Sequence, residues 1–518
     1  MPGDVSMHAA HPFEKFEHQG RRVTVIGAGI SGLVTAYELE RLGYTVEVLE
    51  CGARIGGRIR THRFGPGPDT PSVELGAMRI PAHHHRTLEY VQRMQLGGEL
   101  RAFSTLMSEE NAYLRTPGGF LRIRNASAPL LENFRRELAR HCPGSNSEPL
   151  FGERRYDDSV LVVGAWLTAI VDATAPPDLR TDLREDLRRQ LLDLLAGVDL
   201  ARYLRGPAGE RVDLQGLFAA HPGLRAGCSL RLNSFLDDIL AETAPGLLRL
   251  RGGMDRLPAR LARQLRGPVL REHRVTGLEV HEDHVAVRVR AAGRTGVRRS
   301  DFAVCTVPFP VLRRMRLRGL DADKLAVLRE VQYCPATKVA FLCRTPFWRE
   351  SGIQGGASFA GGRIRQTYYP PVEGMPGRGA ALLASYTIGE EARRLGRMPA
   401  RRRHRLVLDE LGAMHPELTS PGMVLDAVSM AWGSDRGSVG CTTRWGRNAA
   451  ESESERLRAA RPVGRLFFAG EHCSTAPAWI EGGIESALRA VEELVRFEPV
   501  RRRPAVPAPG RPRPAGAL

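Results

Sequence analysis

The pattern that most constrains this chain is a glycine fingerprint, Gly27, Gly29 and Gly32, lying between two short β-branched runs at 23–27 (VTVIG) and 46–50 (VEVLE). From Ser31 to Leu42 apolar residues recur at helical spacing, so the segment reads as strand, tight turn, helix and second strand. At such a turn the missing side chains let backbone N–H groups and the helix N-terminus approach a pyrophosphate. Glu50 ends the second strand, where a carboxylate accepts hydrogen bonds from both hydroxyls of an adenosine ribose and repels a 2'-phosphate. FAD or NAD is therefore expected over NADP. On this motif alone, a tight turn with a surface glutamate stays open.

Arg54-Ile55-Gly56-Gly57-Arg58 follows directly. Its two glycines permit close approach and an arginine can neutralise phosphate charge. A nicotinamide-binding unit does not need this second loop.

With 518 residues the chain exceeds what one core usually serves, so two or three packed domains are expected, with room for a large cofactor. No apolar run is long enough to span a bilayer, and no membrane partner is expected. Met1 to Gly20 is polar without an apolar stretch, unlike a secretory signal. Eight cysteines, Cys51, Cys142, Cys228, Cys305, Cys334, Cys343, Cys441 and Cys473, lack metal-ligand or C-x-x-C spacing and read as reduced thiols. The expected location is the cytoplasm. The formal net charge of +17 raises the question of nucleic acid, but the positive residues are spread along the chain and only Lys15, Lys324 and Lys338 are lysines. This is an arginine-biased composition, and no nucleic acid partner is expected.

Segments such as LLENFRRELARH and LREDLRRQLLDLLAGV mark residues 128–248 as helical, with few strand signals. Alternating strand patterns resume in RVTGLEVHEDHVAVRVR and DFAVCTVPF, then in TKVAFLC, TYYP and ALLASYTI. RLFFAG (465–470) reads as another buried strand, and Ile480 to Phe497 as a helix ending before Pro499.

Taken together, the fingerprint, the acidic strand end and the R-x-G-G-R loop resemble the flavin amine oxidase family. The resemblance returns at Val275, in a strand that in the family contacts adenine through its backbone, and in FFAGEHCSTAPAWIEGGIESALRA (467–490). It implies an α/β fold with a discontinuous Rossmann-like FAD-binding domain (21–75, 248–312 and 457–500). A mixed-sheet substrate domain (76–127 and 313–456), a helical insert domain (128–247) and a disordered tail (501–518) complete it. FAD is implied as a non-covalent cofactor. Its expected contacts are Gly27, Gly29, Ile30, Ser31, Gly32, Glu50, Arg54, Gly57, Arg58, Gly76, Ala77, Met78, Arg79, Val275 and Trp432. Gly470 and Glu471 are implied on the ribitol and phosphate side, with Trp479 and Ile480 beside the isoalloxazine.

Within the family, ELGAMRIP (74–81) is similar to the L-amino acid oxidase branch, and Arg79 is the deciding residue. An amino acid differs from an amine by its carboxylate, which a guanidinium in a dry pocket can bind bidentately. A structural ion pair is the rival reading of Arg79. Tyr386 matches the family tyrosine whose hydroxyl adds a second bond to that carboxylate; an ordinary strand tyrosine is its rival. Lys338 stands in a β-branched strand of a chain that rarely uses lysine, although a salt-bridged surface lysine would look the same. The resemblance implies that it holds a water near the flavin N5. Trp479 and the backbone near Ala478 would position the amine. Cys441 is expected to line the pocket, and Asp237, beside Asp238, stands where related enzymes carry an entrance histidine. These acids favour a cationic substrate side chain on one reading and form a solvated helix face on the other. His83-His84-His85 lacks a ligand-spaced carboxylate, so no metal is expected.

The activity so implied is FAD-dependent oxidation of an L-α-amino acid, by hydride transfer, to a 2-oxo acid, ammonia and hydrogen peroxide. An amino acid 2-monooxygenase, which forms an amide, or a polyamine or monoamine oxidase are the alternatives. Molecular oxygen is the expected second substrate and a homodimer the expected assembly.

Overall fold

The computed structural model describes residues 20–67, 69–105, 107–140, 156–206, 211–373, 377–444 and 449–497. The expected tail at 501–518, Cys142 and the opening residues up to 19 lie outside them.

Five parallel strands form the sheet that carries the fingerprint, in the order Val269–Leu270, Thr45–Leu49, Arg22–Ile26, Phe302–Cys305 and Leu466–Phe468. Parallel sheets are covered on both faces, so their strands are apolar throughout instead of alternating. VTVI, FAVC and LFF all obey this, and Val25, Val304 and Phe467 have no exposed surface. The helices Ile30–Arg41 and Ile480–Phe497 bury their apolar stripes together against this sheet. Three segments distant in sequence thus build one nucleotide-binding layer. A four-stranded sheet of Arg274–Val280, Val285–Ala291, Arg294–Ser300 and Arg316–Arg318 flanks it.

The second large sheet has seven strands: Val424–Ala431, Ala336–Cys343, Ala380–Ile388, Arg365–Tyr368, Ala357–Gly361, Tyr113–Thr116 and Gly119–Arg122. Its pairings are antiparallel except where Ala357–Gly361 meets Tyr113–Thr116. The strand read at TYYP begins earlier, at Arg365, where a bulge interrupts the register and Arg365 adopts a φ of 60°.

The described residues between 127 and 243 are mostly helical, as the Leu/Ala/Arg periodicity predicts. LREDLRRQLLDLLAGV is not one continuous α-helix: a π-helical turn at Leu187–Leu191 separates Pro177–Asp186 from Leu192–Ala196. A short hairpin of Leu204–Arg205 and Arg211–Val212 is the strand content that periodicity did not reveal. These helices have no separate core. Phe134, Trp166 and Ile170 belong to one apolar cluster with Phe359, Tyr368 and Leu383 of the mixed sheet. Among the described residues no helix is long and apolar enough to cross a membrane.

Helix Asp158–Thr174 crosses its neighbours at Gly164. A methyl group there would stand 2.7 Å from Leu192 and 2.8 Å from the Phe134 ring. Gly164→Ala is therefore expected to overpack this crossing and cost about 1–3 kcal/mol. The apparent unfolding temperature should fall in a thermal melt; an unchanged melt would show that the crossing has slack.

Candidate active site

A cleft of about 730 Å³ runs along the carboxyl ends of the parallel strands, toward the large end of the ~300–1,000 Å³ range of small-molecule sites. Its lining joins the fingerprint turn (Gly27, Gly29, Ile30, Ser31), the second glycine loop (Arg54, Gly56, Gly57, Arg58), Val275, and the C-terminal segment (Gly470, Glu471, Ala478, Trp479, Ile480). Gly32 lies beneath the turn, where a Cβ would fall 1.9 Å from the Gly27 carbonyl oxygen, so only glycine closes it. Gly29 bridges to Gly56, and the two glycine loops form one wall of backbone. The Glu50 carboxylate accepts from the Ala28 N–H at 2.9 Å and the Gly52 N–H at 2.8 Å, which fixes its position on the cleft wall. These residues fit a dinucleotide: bare backbone where phosphates would lie, a braced acid for ribose, and two indoles, Trp432 and Trp479, at the inner end.

The two loop arginines have other partners. Arg54, on the cleft wall, donates to the carbonyls of Ile55, Gly57 and Ile59 and braces the loop. Arg58 donates to Glu471 at 2.8 Å and to the Cys441 carbonyl at 2.9 Å. Glu471 is buried and also accepts from Thr443 Oγ1 at 2.9 Å; burial pushes its carboxyl up, but the Arg58 charge and the hydrogen bonds from Arg58 and Thr443 together hold it below the ordinary range. This ion pair ties the N-terminal loop, the short strand Thr442–Arg444 and the C-terminal segment around the cleft.

At the inner end the chain turns sharply. Ala478 has a φ of 70°, a left-handed conformation that costs a non-glycine residue on the order of 1 kcal/mol and delivers Trp479 to the wall. Trp432 donates Nε1–H to the Leu75 carbonyl at 2.8 Å, fixing the strand that leads to Gly76, Ala77 and Met78. Of those three only Ala77 lines the cleft; Met78 is buried behind it.

Arg79 sits behind Trp479, its guanidinium 5.7 Å from the indole centroid. It donates to Tyr368 Oη at 3.3 Å and lies 3.7 Å from Glu242 Oε1. Burial opposes its charge, but Tyr368 and Glu242 outweigh it, and the pKa stays above the ordinary arginine value. A guanidinium has five N–H donors, so those not taken by Tyr368 remain for a planar anion. Tyr386 lies in register with Lys338 on the neighbouring strand, its ring between Lys338 Nζ at 4.7 Å and the Arg365 guanidinium at 5.8 Å. Lys338 is 3% exposed, so it is not a surface lysine. Its Nζ donates to the carbonyls of Gly76 at 2.7 Å and Glu74 at 3.2 Å. Burial pulls its pKa down to about 7, against the nearby Glu74 carboxylate and with the help of Arg79.

Asp237 is not brought here. It stands on the exposed side of helix Leu230–Thr243 in an ion pair with Arg225, away from the cluster around Arg79. The acid this helix sends inward is Glu242. Cys441 does line the cleft, its thiol directed to the Cys334 carbonyl at 3.1 Å. His84 packs edge-on against Trp479 at 5.1 Å, and no cluster among the described residues could hold a metal ion. Residue-type reasoning missed Glu242, Arg365, Gln366 and Tyr368. A signal for Glu242 was present: with Leu232, Leu236 and Ile239 it falls on the buried stripe of an amphipathic helix, where an acid needs a partner.

A family model for the flavin containing amine oxidoreductases matches residues 30–495. The chain belongs to that family. This amine oxidoreductase is 53% identical over 475 residues to the flavin-dependent L-tryptophan oxidase RebO of Lentzea aerocolonigenes, across 92% of this chain and 98% of that one. It is 28% identical over 489 residues to the putative L-amino-acid oxidase YobN of Bacillus subtilis (strain 168), across 92% and 95%. Among solved structures, a putrescine oxidase variant superimposes with a TM-score of 0.62 at 18% identity, and the cyclohexylamine oxidase of Brevibacterium oxydans IH-35A with 0.59 at 18%. Each pair spans 92% of this chain and 99% of the other, a likeness of fold. The cofactor is FAD.

Lys338 generates a pH prediction. Its amine gains proton-accepting capacity as pH rises through about 7. In the wild type kcat/KM should show a limb rising through that range, and Lys338→Met should lose it. An unchanged limb in the variant would place the ionisation elsewhere, with buried Glu74, pushed up by burial to about 7, the next group to examine.

Proposed function

We propose that this flavoenzyme oxidises L-α-amino acids with large uncharged side chains, L-tryptophan foremost. It is an FAD-dependent L-amino acid oxidase, which converts its substrate with water and oxygen to a 2-oxo acid, ammonia and hydrogen peroxide. The observation that carries the reading is Arg79: a guanidinium about nine-tenths buried, with donors not taken by Tyr368, against the indole that lines the cofactor cleft. Glu242 is shared between Arg79 and Arg365, so its one negative charge does not balance both, and a substrate carboxylate supplies the missing partner. An amine lacking that group would leave the site's polar atoms unmatched.

Arg79, with the hydroxyls of Tyr368 and Tyr386, is assigned to hold the α-carboxylate. Trp479 and the strained backbone at Ala478 are assigned to position the amine and the α C–H. Lys338 Nζ holds or releases a proton beneath Gly76. Bound FAD supplies the two-electron acceptor, which oxygen returns to its oxidised state. The tryptophan preference is supported by the likeness to the L-tryptophan oxidase and by the aromatic side chains Tyr368 and Trp479 against the Arg79 guanidinium. Contact of Gly27, Gly29, Ile30, Ser31, Glu50, Gly57, Val275, Trp432, Gly470 and Ile480 with FAD is supported by their place on the cleft wall. The reading includes a homodimer and a cytoplasmic setting; seven described cysteines, all free, favour the latter.

Anaerobic mixing with each of the twenty L-amino acids should bleach the flavin fastest with L-tryptophan and L-phenylalanine, and D-tryptophan should leave it oxidised. Bleaching by putrescine and by no amino acid would overturn the assignment.

A further inference from the structure

Behind Arg79 lies a buried polar group that binding a carboxylate does not by itself require. Glu242 Oε1 stands 3.7 Å from Arg79 Nη2 and 3.5 Å from Arg365 Nη2, while its Oε2 accepts from Gln366 Nε2 at 2.7 Å. One carboxylate is therefore shared by two guanidinium groups, and all three side chains are at least nine-tenths buried. Of the other groups near them, Tyr368, Tyr386 and Gln366 are uncharged at neutral pH; Lys338, which Arg79 also affects, is offset by the Glu74 carboxylate, and Asp238, exposed on the Glu242 helix, acts on Arg365 from outside the buried cluster. Arg365 donates Nε–H to the Thr174 carbonyl at 3.0 Å, but its buried Nη1 has no hydrogen-bond partner. The chain holds it there at a bulge, with a φ of 60° that disfavours any residue but glycine. A strained backbone and an unpartnered donor are retained where a neutral side chain would have been simpler.

We propose that Glu242 determines the charge class of the substrate side chain: by neutralising Arg365 it leaves one net positive charge, for the α-carboxylate alone, and so excludes acidic amino acids. The inference rests on the oxidase reading above. In a low-dielectric pocket two cations and one anion are balanced by a single substrate carboxylate. Without Glu242, both guanidinium groups are unmatched, and Arg365 Nη1 becomes a seat for a second carboxylate. Without Arg365, Glu242 neutralises Arg79, and the pocket loses its attraction for any carboxylate. Glu242 is here a specificity-determining residue; no chemical step depends on it.

The test compares wild type, Glu242→Gln, Arg365→Gln and the double variant. The ratio of kcat/KM for L-glutamate to that for L-phenylalanine should rise at least about 100-fold in E242Q, the equivalent of two tenfold steps in differential binding. In R365Q, KM should rise for every neutral amino acid. The double variant, restored to one net charge, should return to the wild-type preference, which a merely structural role for Glu242 would not produce. Turnover-free titrations with benzoate and isophthalate, read by flavin absorbance, follow charge recognition independently: E242Q should gain affinity for the dianion. If E242Q fails to fold, R365Q and the double variant still decide. An unchanged glutamate-to-phenylalanine ratio in E242Q, or a double variant no closer to wild type than the singles, overturns the proposal. A wild-type enzyme that oxidises no L-amino acid would sink the oxidase reading instead, and the two titrations would still judge the charge argument.

Discussion

The structure around this site depends on keeping one guanidinium charged in a place that water does not reach. An isolated charge in such surroundings costs several kcal/mol or loses its proton, and arginine does not readily lose one. Arg79 keeps its charge because Tyr368 reaches it from the mixed sheet and Glu242 from the helical segment. The residue that follows the FAD-binding strands is thus stabilised by the two other parts of the chain. None of the three contributions makes a pocket unless the parts are docked together.

Docking is secured by further polar ties around the cofactor cleft. Glu471 joins Arg58 to Thr443, and Glu481 accepts from the backbone N–H groups of Arg86 and Thr87 and from the Thr87 hydroxyl. These bonds attach the C-terminal segment to the loop at Arg58 and to the first turn of helix His85–Arg93, about four hundred residues away. The shared apolar core does the same for the helical segment, which buries Phe134 and Trp166 in the cluster that holds Tyr368. The cleft and the buried cluster around Arg79 are therefore two faces of one packing arrangement, with Trp479 at the boundary.

The nucleotide site was legible in the sequence because its rules are local. Glycines at fixed offsets, an acid at a strand end and an apolar run before each turn describe a backbone, and the backbone at Gly27, Gly32 and Glu50 is as those rules require. The strands at 22–26, 45–49 and 466–468 and the helix at 480–497 follow from periodicity alone. Roles that depend on partners were less legible. Arg54 and Arg58 occur where phosphate binding is plausible by residue type, yet carbonyls and Glu471 take their hydrogen bonds. Asp237 and Glu242 lie five residues apart on one helix, and only the direction each faces separates a solvated ion pair from a pocket acid. Arg365 carried no sequence signal, because its importance comes from a bulge and a left-handed φ that arginine seldom adopts.

The central claim, that the Arg79 guanidinium recognises the substrate by its carboxylate, is tested most directly by comparing L-tryptophan with tryptamine, which differs only by that group. The account predicts that wild type prefers L-tryptophan in kcat/KM by roughly 10²–10⁴-fold, the range of about 3–5 kcal/mol expected for a desolvated charge pair that loses one partner. Arg79→Met should reduce that preference to within about tenfold, through loss of activity on L-tryptophan and not on tryptamine. A preference that survives the substitution intact would contradict the account.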